Sequence, residues 1–353
     1  MDLRKKNRIM LFPKINRIVL IVVSIAFIIT GLRGYQLFKY VFDPNIKTPD
    51  SIIIPYHANV EQVLDSLRNK DILMNEKAFR WVSGKKDYPH NIKAGKYIFN
   101  KGMNTNSIVN MLKAGDQEPV PVTFNNLRLM NELAGKIAKY IEPDSVSLFT
   151  CLSDTTVIKK MGFNKYSFPA MFIPNTYEFY WTTTPGEFAA RMKEEYDHFW
   201  NEDRRKKAEA LGLTPIEVIT LASIVQEETT KEDEKPIIAG LYINRLKKGM
   251  PLQADPTIRY ALGDFSVKRI LNKYLEIDSP FNTYKHAGLP PGPINFPEIL
   301  SIKAVLNASQ TKFLYMCARE DFSGYHNFSR TLKEHNRNAR RYQNALNKRK
   351  ILQ

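Results

Sequence analysis

The amino-acid sequence predicts an α+β protein with an N-terminal transmembrane helix, a small α+β module and a larger, mostly helical α+β domain. Its 353 residues suffice for two or three compact units, and 43% hydrophobic and 25% charged residues are ordinary for a globular protein. One uncharged apolar run lies near the start of the chain. A segment with two closely spaced prolines, DQEPVPVTF (116–124), favours an extended connector between the two globular parts.

The first predicted element is a membrane span at Ile18–Leu32, IVLIVVSIAFIITGL. Basic residues dominate the segment before it, which places the N-terminus in the cytoplasm. We predict a cytoplasmic segment at 1–14, a single-pass anchor in the inner (plasma) membrane at 15–37, and extracytoplasmic domains after it. A cleaved signal peptide is the alternative, although no small-x-small cleavage site follows the apolar run.

The small module is predicted at 51–118, after a linker rich in Pro and Asp at 38–50. Ser51–Ile54 suits a strand, and Asn59 precedes an amphipathic helix that it is suited to cap. A second unit of the same kind follows, in which AGKYIF indicates a strand and Thr105 is the predicted cap of a helix. The pattern therefore predicts two strands and two capped helices in this module.

The larger domain is predicted at 119–350, where helical periodicity dominates. Helical patterns run from Leu127 to Ile141 and from Glu187 to Leu211, and a strand-like segment, FIPNTYEFYW, lies between them at 172–181. Helices and proline-rich loops fill the rest of the chain. The net charge of +16 favours an anionic environment such as nucleic acid, an anionic membrane face or an acidic polymer.

The segment LASIVQEET (221–229) ends an apolar helix with two adjacent acids. Thr214, Pro215 and Glu217 form a capping box with proline at the first helical position, which fixes the start of the helix. At 100° per residue, Glu227 and Glu228 then point in different directions. Glu227 continues a polar stripe and Glu228 an apolar stripe. The polar stripe contains Thr220 and Ser223, and the apolar stripe contains Leu221, Ile224 and Val225.

This placement predicts a special chemistry for Glu228 and a smaller role for Glu227. A carboxyl group on the buried side of a helix loses hydration, which raises its pKa. Such an acid holds a proton near neutral pH and can deliver it to a glycosidic oxygen. In the alternative interpretation the helix ends near Gln226, and both acids extend into solvent.

Two segments contain candidate substrate-binding residues. The loop FNTYKHAGLPPGPIN (281–295) is stiffened by prolines, and Asn282, Thr283 and Tyr284 offer an amide, a hydroxyl and a ring that suit carbohydrate. A rigid surface turn is the alternative. In FIPNTYEFYW, Tyr177 is a candidate for stacking on a sugar, although burial in the core is the commoner role of such residues.

The segment GMPLQADPTIRYALG (249–263) has a structural interpretation. Asp255 before Pro256 suits a helix N-cap followed by the first turn, and Gly263 suits the C-cap. This interpretation accounts for Asp255 without a chemical role. We nevertheless include Asp255 and Gln253 among the candidate substrate-binding residues.

The sequence lacks the HExxH, GxSxG, phosphate-loop and GxGxxG motifs, which removes the simplest routes to a metalloprotease, a serine hydrolase or a nucleotide enzyme. His286, His326 and His335 are interpreted as hydrogen-bonded structural residues. Cys151 and Cys317 are interpreted as small buried hydrophobes, with a single disulfide as the alternative. We therefore predict no metal site.

Taken together, several segments resemble the endolytic murein transglycosylases of the YceG-like (MltG) family. The resemblance is carried by LASIVQEET, LYINRLKKGMPLQADPTIRY and NTYKHAGLPPGPI, and more loosely by FIPNTYEF, AGKYIF and HNFSRTLKEHN. These segments follow in order between about residues 50 and 345. The chain differs from many members at Gln226 and Asn175, where they have acids, and at Phe296–Glu298, where they have Asn-Pro-Gly.

The resemblance implies a LysM-like peptidoglycan-binding module at 51–118 and a catalytic domain at 119–350. It implies internal cleavage of nascent glycan strands between N-acetylmuramic acid and N-acetylglucosamine, which would terminate strand elongation, and it assigns Glu228 as the catalytic residue. The expected partners are peptidoglycan strands and the membrane through the N-terminal helix, with peptidoglycan synthases as further candidates and without nucleic acid. No metal or organic cofactor is expected.

Two other classes of protein remain as alternatives. One is a non-catalytic scaffold that binds the cell wall and recruits synthases, against which the retained Glu228 and its flanking motifs argue. The other is a nucleic-acid binder, which the net charge invites. An extracytoplasmic location and the lack of a basic helix with base-reading residues argue against it.

Overall fold

A computed structural model describes residues 17–267 and 269–349 of the chain. The predicted cytoplasmic segment 1–14 and the first two residues of the predicted anchor lie outside the described residues, as does residue 350. The chain divides into two compact units, of which the first ends at Glu118 and the second begins at Pro119.

The chain enters the first unit through a long apolar helix, α1 (Arg17–Phe42), of 26 residues. At 1.5 Å per residue it is roughly 39 Å long, which exceeds the roughly 30 Å of a bilayer's hydrocarbon core. Its most apolar window has a mean hydropathy of 2.2 and no buried residue. Among the residues that the structure describes, α1 is the one single helix with the length and composition of a membrane span.

The rest of the first unit is a two-stranded antiparallel sheet with three helices. The strands pair from Asp50 opposite Phe99 to Ile54 opposite Gly95. Apolar side chains from both strands and all three helices form one core, which includes Phe79. The elements are β1 (Asp50–Ile54), α2 (Val60–Asn69), α3 (Glu76–Lys85), β2 (Gly95–Phe99) and α4 (Thr105–Ala114).

Several details of this unit differ from the prediction. The predicted helix cap Thr105 is the first helical residue, and the Asn104 side chain caps α4 by accepting from Ser107 N at 2.9 Å. A third helix, α3, also lies between the strands. Residues 38–50 do not form a free linker, because α1 continues to Phe42 and Ile46 is buried in the core of the unit.

The second unit is mostly helical and has two short antiparallel sheets, β3 with β4 and β5 with β6. Its central helix is α10, which packs against α9, α11, α12 and α13. The elements are β3 (Val120–Phe124), α5 (Met130–Ile137), α6 (Ser145–Ser153), α7 (Thr155–Lys160), β4 (Asn175–Phe179), α8 (Pro185–Phe199), α9 (Glu202–Leu211), α10 (Pro215–Glu228), α11 (Lys235–Lys247), α12 (Asp255–Leu262), α13 (Ile299–Leu306), β5 (Tyr315–Ala318), β6 (His326–Ser329) and α14 (Leu332–Lys348).

The predicted helices of the second unit exist but are shorter than their patterns. The pattern over 127–141 forms only α5, and the pattern over 187–211 is divided into α8 and α9. The division lies at Trp200, whose side chain is buried, and Asn201 then caps α9 by accepting from Arg204 N at 3.0 Å. Both cysteines are free and half-buried, so the interpretation of them as buried residues is wrong.

Candidate active site

Helix α10 is fixed at its start by the predicted capping box and is buried along most of its length. The Glu217 carboxylate accepts from Thr214 N at 2.7 Å, and Glu217 N donates to Thr214 Oγ1. Every residue from Val218 to Val225 is buried. The predicted polar stripe therefore does not face solvent, because Thr220 and Ser223 lie inside the unit.

A loop that precedes α13 supplies the partners of this buried stripe. Ile294 N donates to Ser223 Oγ at 3.0 Å, and Asn295 Nδ2 donates to Ser223 O at 3.2 Å. Asn295 Nδ2 also donates to Glu227 Oε1 at 2.9 Å. Because buried polar groups need hydrogen-bond partners, the loop and the helix hold each other in place.

The two acids at the end of α10 have different surroundings, and neither is a free surface charge. The helix includes both acids and ends at Glu228, so the alternative in which it ends near Gln226 is wrong. Glu227 forms an ion pair with Arg128 at 3.1 Å. Gln226 Oε1 accepts from the backbone N of Glu298 at 2.7 Å, at the start of α13.

Glu228 is half-buried, and Tyr242 of α11 donates a hydrogen bond to Glu228 Oε1 at 2.6 Å. Burial raises the pKa of Glu228 from 4.5 to about 7. The hydrogen bond from Tyr242 opposes that rise, the charge of Asp255 adds to it, and His326 and Arg259 oppose it. A substantial fraction of the Glu228 carboxyl groups therefore holds a proton at pH 7.

A cavity of about 410 Å³ opens beside Glu228, and we call it the first cavity. Three of the predicted binding residues line it: Gln253, Asp255 and Tyr284. Tyr284 Oη donates to Asp255 Oδ1 at 2.5 Å, and Gln253 Oε1 accepts from Arg245 of α11 at 2.7 Å. Asp255 is the first residue of α12 with Ala254 at the N-cap, so the capping interpretation of Asp255 is wrong.

A second cavity, of about 670 Å³, is also lined by Glu228. Its lining includes Glu227, Thr230 and Lys235. The two cavities share three lining residues, which are Glu228, Ala318 and His326. Glu228 therefore lies where two polar cavities meet.

The other three predicted binding residues do not line either cavity. Tyr177 is buried in the core, where it stacks on Phe124 and donates to the carbonyl of Ile173 at 2.6 Å. Asn282 is fully buried and holds its own loop by donating to two backbone carbonyls. Thr283 accepts from Ala254 N at 3.1 Å. These three predictions are wrong, because the polar atoms of these residues form hydrogen bonds within the protein.

The sequence interpretation missed Tyr242, Arg245 and the pair formed by His326 and Glu234. Tyr242 and Arg245 are three residues apart on α11, so a shared helix face was the available signal. His326 Nδ1 lies 2.9 Å from Glu234 Oε2 although 92 residues separate them in sequence. A contact between residues so far apart in sequence leaves no local sequence pattern. The interpretation of His326 as structural therefore did not predict that it lines the same cavities as Glu228.

This arrangement can deliver a proton to a substrate in a groove. The carboxyl group of Glu228 is protonated near neutral pH, and Tyr242 leaves the second oxygen available. When the proton leaves, the Tyr242 hydroxyl stabilises the resulting carboxylate, because a hydrogen bond to a charged acceptor is stronger than one to a neutral acceptor. Among the described residues no cluster of His, Cys, Asp and Glu has the geometry of a metal site.

Comparison with known proteins agrees with these features. The sequence profile of the YceG-like family matches residues 52–341. An endolytic murein transglycosylase of Bacillus subtilis (strain 168) is 31% identical over 331 residues, which are 90% of this chain and 91% of that protein. One from Streptococcus pneumoniae (strain D39) is 26% identical over 88% of this chain, which spans 63% of that protein's length.

A solved structure shows the same fold. The crystal structure of a yceG-like protein from Listeria monocytogenes aligns with a TM-score of 0.53 and 27% sequence identity. The alignment covers 82% of this chain and 99% of that one. The match therefore extends over both compact units and not over a single motif.

Proposed function

The chain belongs to the YceG-like family, and from that premise we propose that it is a membrane-anchored endolytic murein transglycosylase. It cleaves peptidoglycan strands between N-acetylmuramic acid and N-acetylglucosamine and leaves 1,6-anhydro-muramic ends. The observation that carries the proposal is the carboxyl group of Glu228, protonated near neutral pH at the junction of two polar cavities.

The reaction begins with proton transfer. Protonated Glu228 donates to the bridging oxygen, the bond from that oxygen to C1 of the muramic acid breaks, and positive charge develops at C1. The 6-hydroxyl of the same sugar then attacks C1 and loses its proton to the active site. Because the nucleophile belongs to the substrate, its high effective concentration replaces a bound water and a second nucleophilic carboxylate.

A hydrolase is the competing reaction, since Asp255 lines the same cavity as Glu228. Retaining glycosidases use two carboxyl groups, one as acid and one as nucleophile. Here Asp255 accepts a hydrogen bond from Tyr284, which occupies one of its oxygens. We assign Asp255 and Tyr284 to sugar binding, together with Gln253.

Endolytic cleavage is supported by the two cavities around Glu228. An enzyme that cuts inside a strand must bind sugars on both sides of the broken bond. The first and second cavities extend from the same carboxyl group and share His326 and Ala318 in their linings. A strand that occupies both cavities would place its bridging oxygen at Glu228.

We propose that α1 anchors the enzyme in the inner (plasma) membrane, with the N-terminus in the cytoplasm and the rest of both units on the other side of the membrane. The length and hydropathy of α1 support the anchor. The first unit packs around its own hydrophobic core as a separate domain, and we propose that this domain is the LysM-like module. An anchored enzyme of this kind would act on nascent strands, end their elongation and work beside peptidoglycan synthases.

The test is an analysis of the chain ends that the purified enzyme produces from murein sacculi. We expect the wild type to release fragments with 1,6-anhydro ends, identified by mass, and Glu228→Gln to release none while retaining its unfolding temperature. Glu227→Gln is the matched control, with an expected loss much smaller than that of Glu228→Gln. Reducing ends in place of anhydro ends would contradict the transglycosylase reaction, and full activity of Glu228→Gln would contradict the site.

A further inference from the structure

A histidine and a buried carboxylate form a pair beside Glu228. Glu234 has 3% of its surface exposed and lies at the N-terminal end of α11. Its Oε1 accepts from the backbone N of His326 at 2.7 Å, and its Oε2 lies 2.9 Å from His326 Nδ1. Thr229 Oγ1, one residue after Glu228, also donates to Glu234 Oε2 at 3.3 Å.

These contacts fix the tautomer of His326. A carboxylate only accepts hydrogen bonds, so His326 Nδ1 must carry the proton that points at Glu234. In the neutral ring Nε2 then has a free lone pair. None of the described residues forms a hydrogen bond with Nε2 in this structure. A carboxylate behind Nδ1 also stabilises the imidazolium that forms when Nε2 takes a proton, as in the orienting pair of a serine protease.

The imidazole ring of His326 lies at the cavities where the proposed reaction takes place. His326 and Glu228 are the two titratable residues that line both the first and the second cavity, among the residues that the structure describes. A substrate sugar bound at Glu228 would therefore have His326 within its surroundings.

The proposed reaction needs a base after its first half. Once Glu228 has given its proton to the leaving oxygen, the attacking 6-hydroxyl must lose one. A carboxylate that has just acted as the acid can do this, but Tyr242 donates to it and lowers its basicity. A neutral imidazole oriented by Glu234 has no such opposing donor.

We propose that His326 is the base that removes the proton of the attacking hydroxyl, with Glu234 as its positioning residue; this inference rests on the proposed function. The bond from C1 to the leaving oxygen breaks with the proton of Glu228, and the bond from C1 to O6 forms as the hydroxyl proton moves to His326 Nε2. The proton then passes from the imidazolium to the Glu228 carboxylate, which restores both groups.

The test uses the full chain and combines three variants with chemical rescue. His326→Ala removes the base, and we expect the release of anhydro ends to fall by about 100-fold or more, the usual contribution of general acid–base catalysis. Added imidazole should restore a large part of the rate in this variant and change the wild type little. The control is His198→Ala, an exposed histidine on α8, which should retain the wild-type rate with and without imidazole.

Glu234→Gln tests the positioning of the ring without removing it. An amide that presents its NH₂ group to Nδ1 favours the opposite tautomer, in which Nε2 carries the proton and cannot act as a base. We expect kcat to fall by about tenfold or more with KM little changed and with no rescue by imidazole.

The outcomes separate this inference from the proposed function. An inactive Glu228→Gln with a fully active His326→Ala would overturn the role of His326 and leave the proposed function intact. A loss in His326→Ala that imidazole does not restore would assign the pair to structure only, and would also overturn the proposal. A fully active Glu228→Gln would contradict the proposed function itself.

Discussion

At the scale of single residues, the environment of one carboxyl group decides the chemistry. Glu227 and Glu228 are adjacent and identical, yet Glu227 forms an ion pair with Arg128 while Glu228 faces the cavities and the hydroxyl of Tyr242. An ion pair stabilises the charged form of an acid, and burial stabilises the neutral form. Glu228 therefore holds a proton near neutral pH.

The activity should depend on pH through this proton. Because the acid works only when protonated, kcat/KM should fall as the pH rises through about 7, the pKa of Glu228. Tyr242→Phe removes a donor that favours the carboxylate, so the pKa should rise by about one unit and the fall should move to higher pH. The measurement is the pH profile of kcat/KM on glycan strands for both proteins.

Tyr180→Phe is the control for this experiment, because Tyr180 is exposed and does not line either cavity. Its profile should coincide with that of the wild type. If kcat/KM of Tyr242→Phe falls at the same pH as that of the wild type, or at a lower pH, the Tyr242 hydroxyl does not act on the Glu228 carboxyl group.

At the scale of elements, the site depends on how closely α11 approaches the chain after α13. A Cβ atom added at Gly240 would lie 2.1 Å from the backbone oxygen of Ser309, which is less than any real contact. The same segment is joined to α11 by Ser309 N, which donates to the carbonyl of Pro236 at 2.9 Å. Since α11 also carries Tyr242, this contact helps to set the distance from Tyr242 to Glu228.

Gly240→Ala should therefore destabilise the protein, although alanine is the better helix former. Backbone atoms must move apart, and overpacking of this kind costs about 1–3 kcal/mol or more. Gly135→Ala, in the middle of α5, is the matched control because a Cβ there meets nothing within 4 Å. The control should be stabilised by up to about 1 kcal/mol. Thermal unfolding of both variants measures the difference, and shifts of the same sign would contradict the packing argument.

At the scale of the whole molecule, the proposed anchor places the enzyme at the membrane beside its substrate. Two arginines in the centre of the span should abolish the membrane attachment of the protein. Each costs roughly 3 kcal/mol at the centre of a membrane helix, so Val22→Arg with Ile25→Arg opposes insertion by about 6 kcal/mol. We expect the wild type in the membrane fraction, released by detergent and not by carbonate, and the double variant outside it.

Ile53→Arg introduces one arginine at an exposed position of β1 and serves as the control. It should remain in the membrane fraction. If the double variant also stays there and resists carbonate, α1 is not the element that holds the protein on the membrane.

Much of the local structure followed from the sequence, because neighbouring residues determine it. The capping box at Thr214 set the start of α10, and counting from that start placed Glu228 on a different face from Glu227. The apolar run that became α1 was equally clear. Helix ends were less predictable. The helical pattern over 127–141 extends beyond both ends of α5, because the pattern does not show where tertiary contacts end a helix.

The sequence by itself determined the long apolar helix α1, the central helix α10 and the direction of Glu228, because each follows from the residues along a few turns of chain. Only the tertiary structure decided which groups surround that acid. Tyr242 and His326 reach it from other elements, while Tyr177 and Asn282 turn inward and hydrogen-bond to the protein's own backbone. The partner of a polar side chain depends on packing between distant segments, and spacing along the chain does not encode that packing.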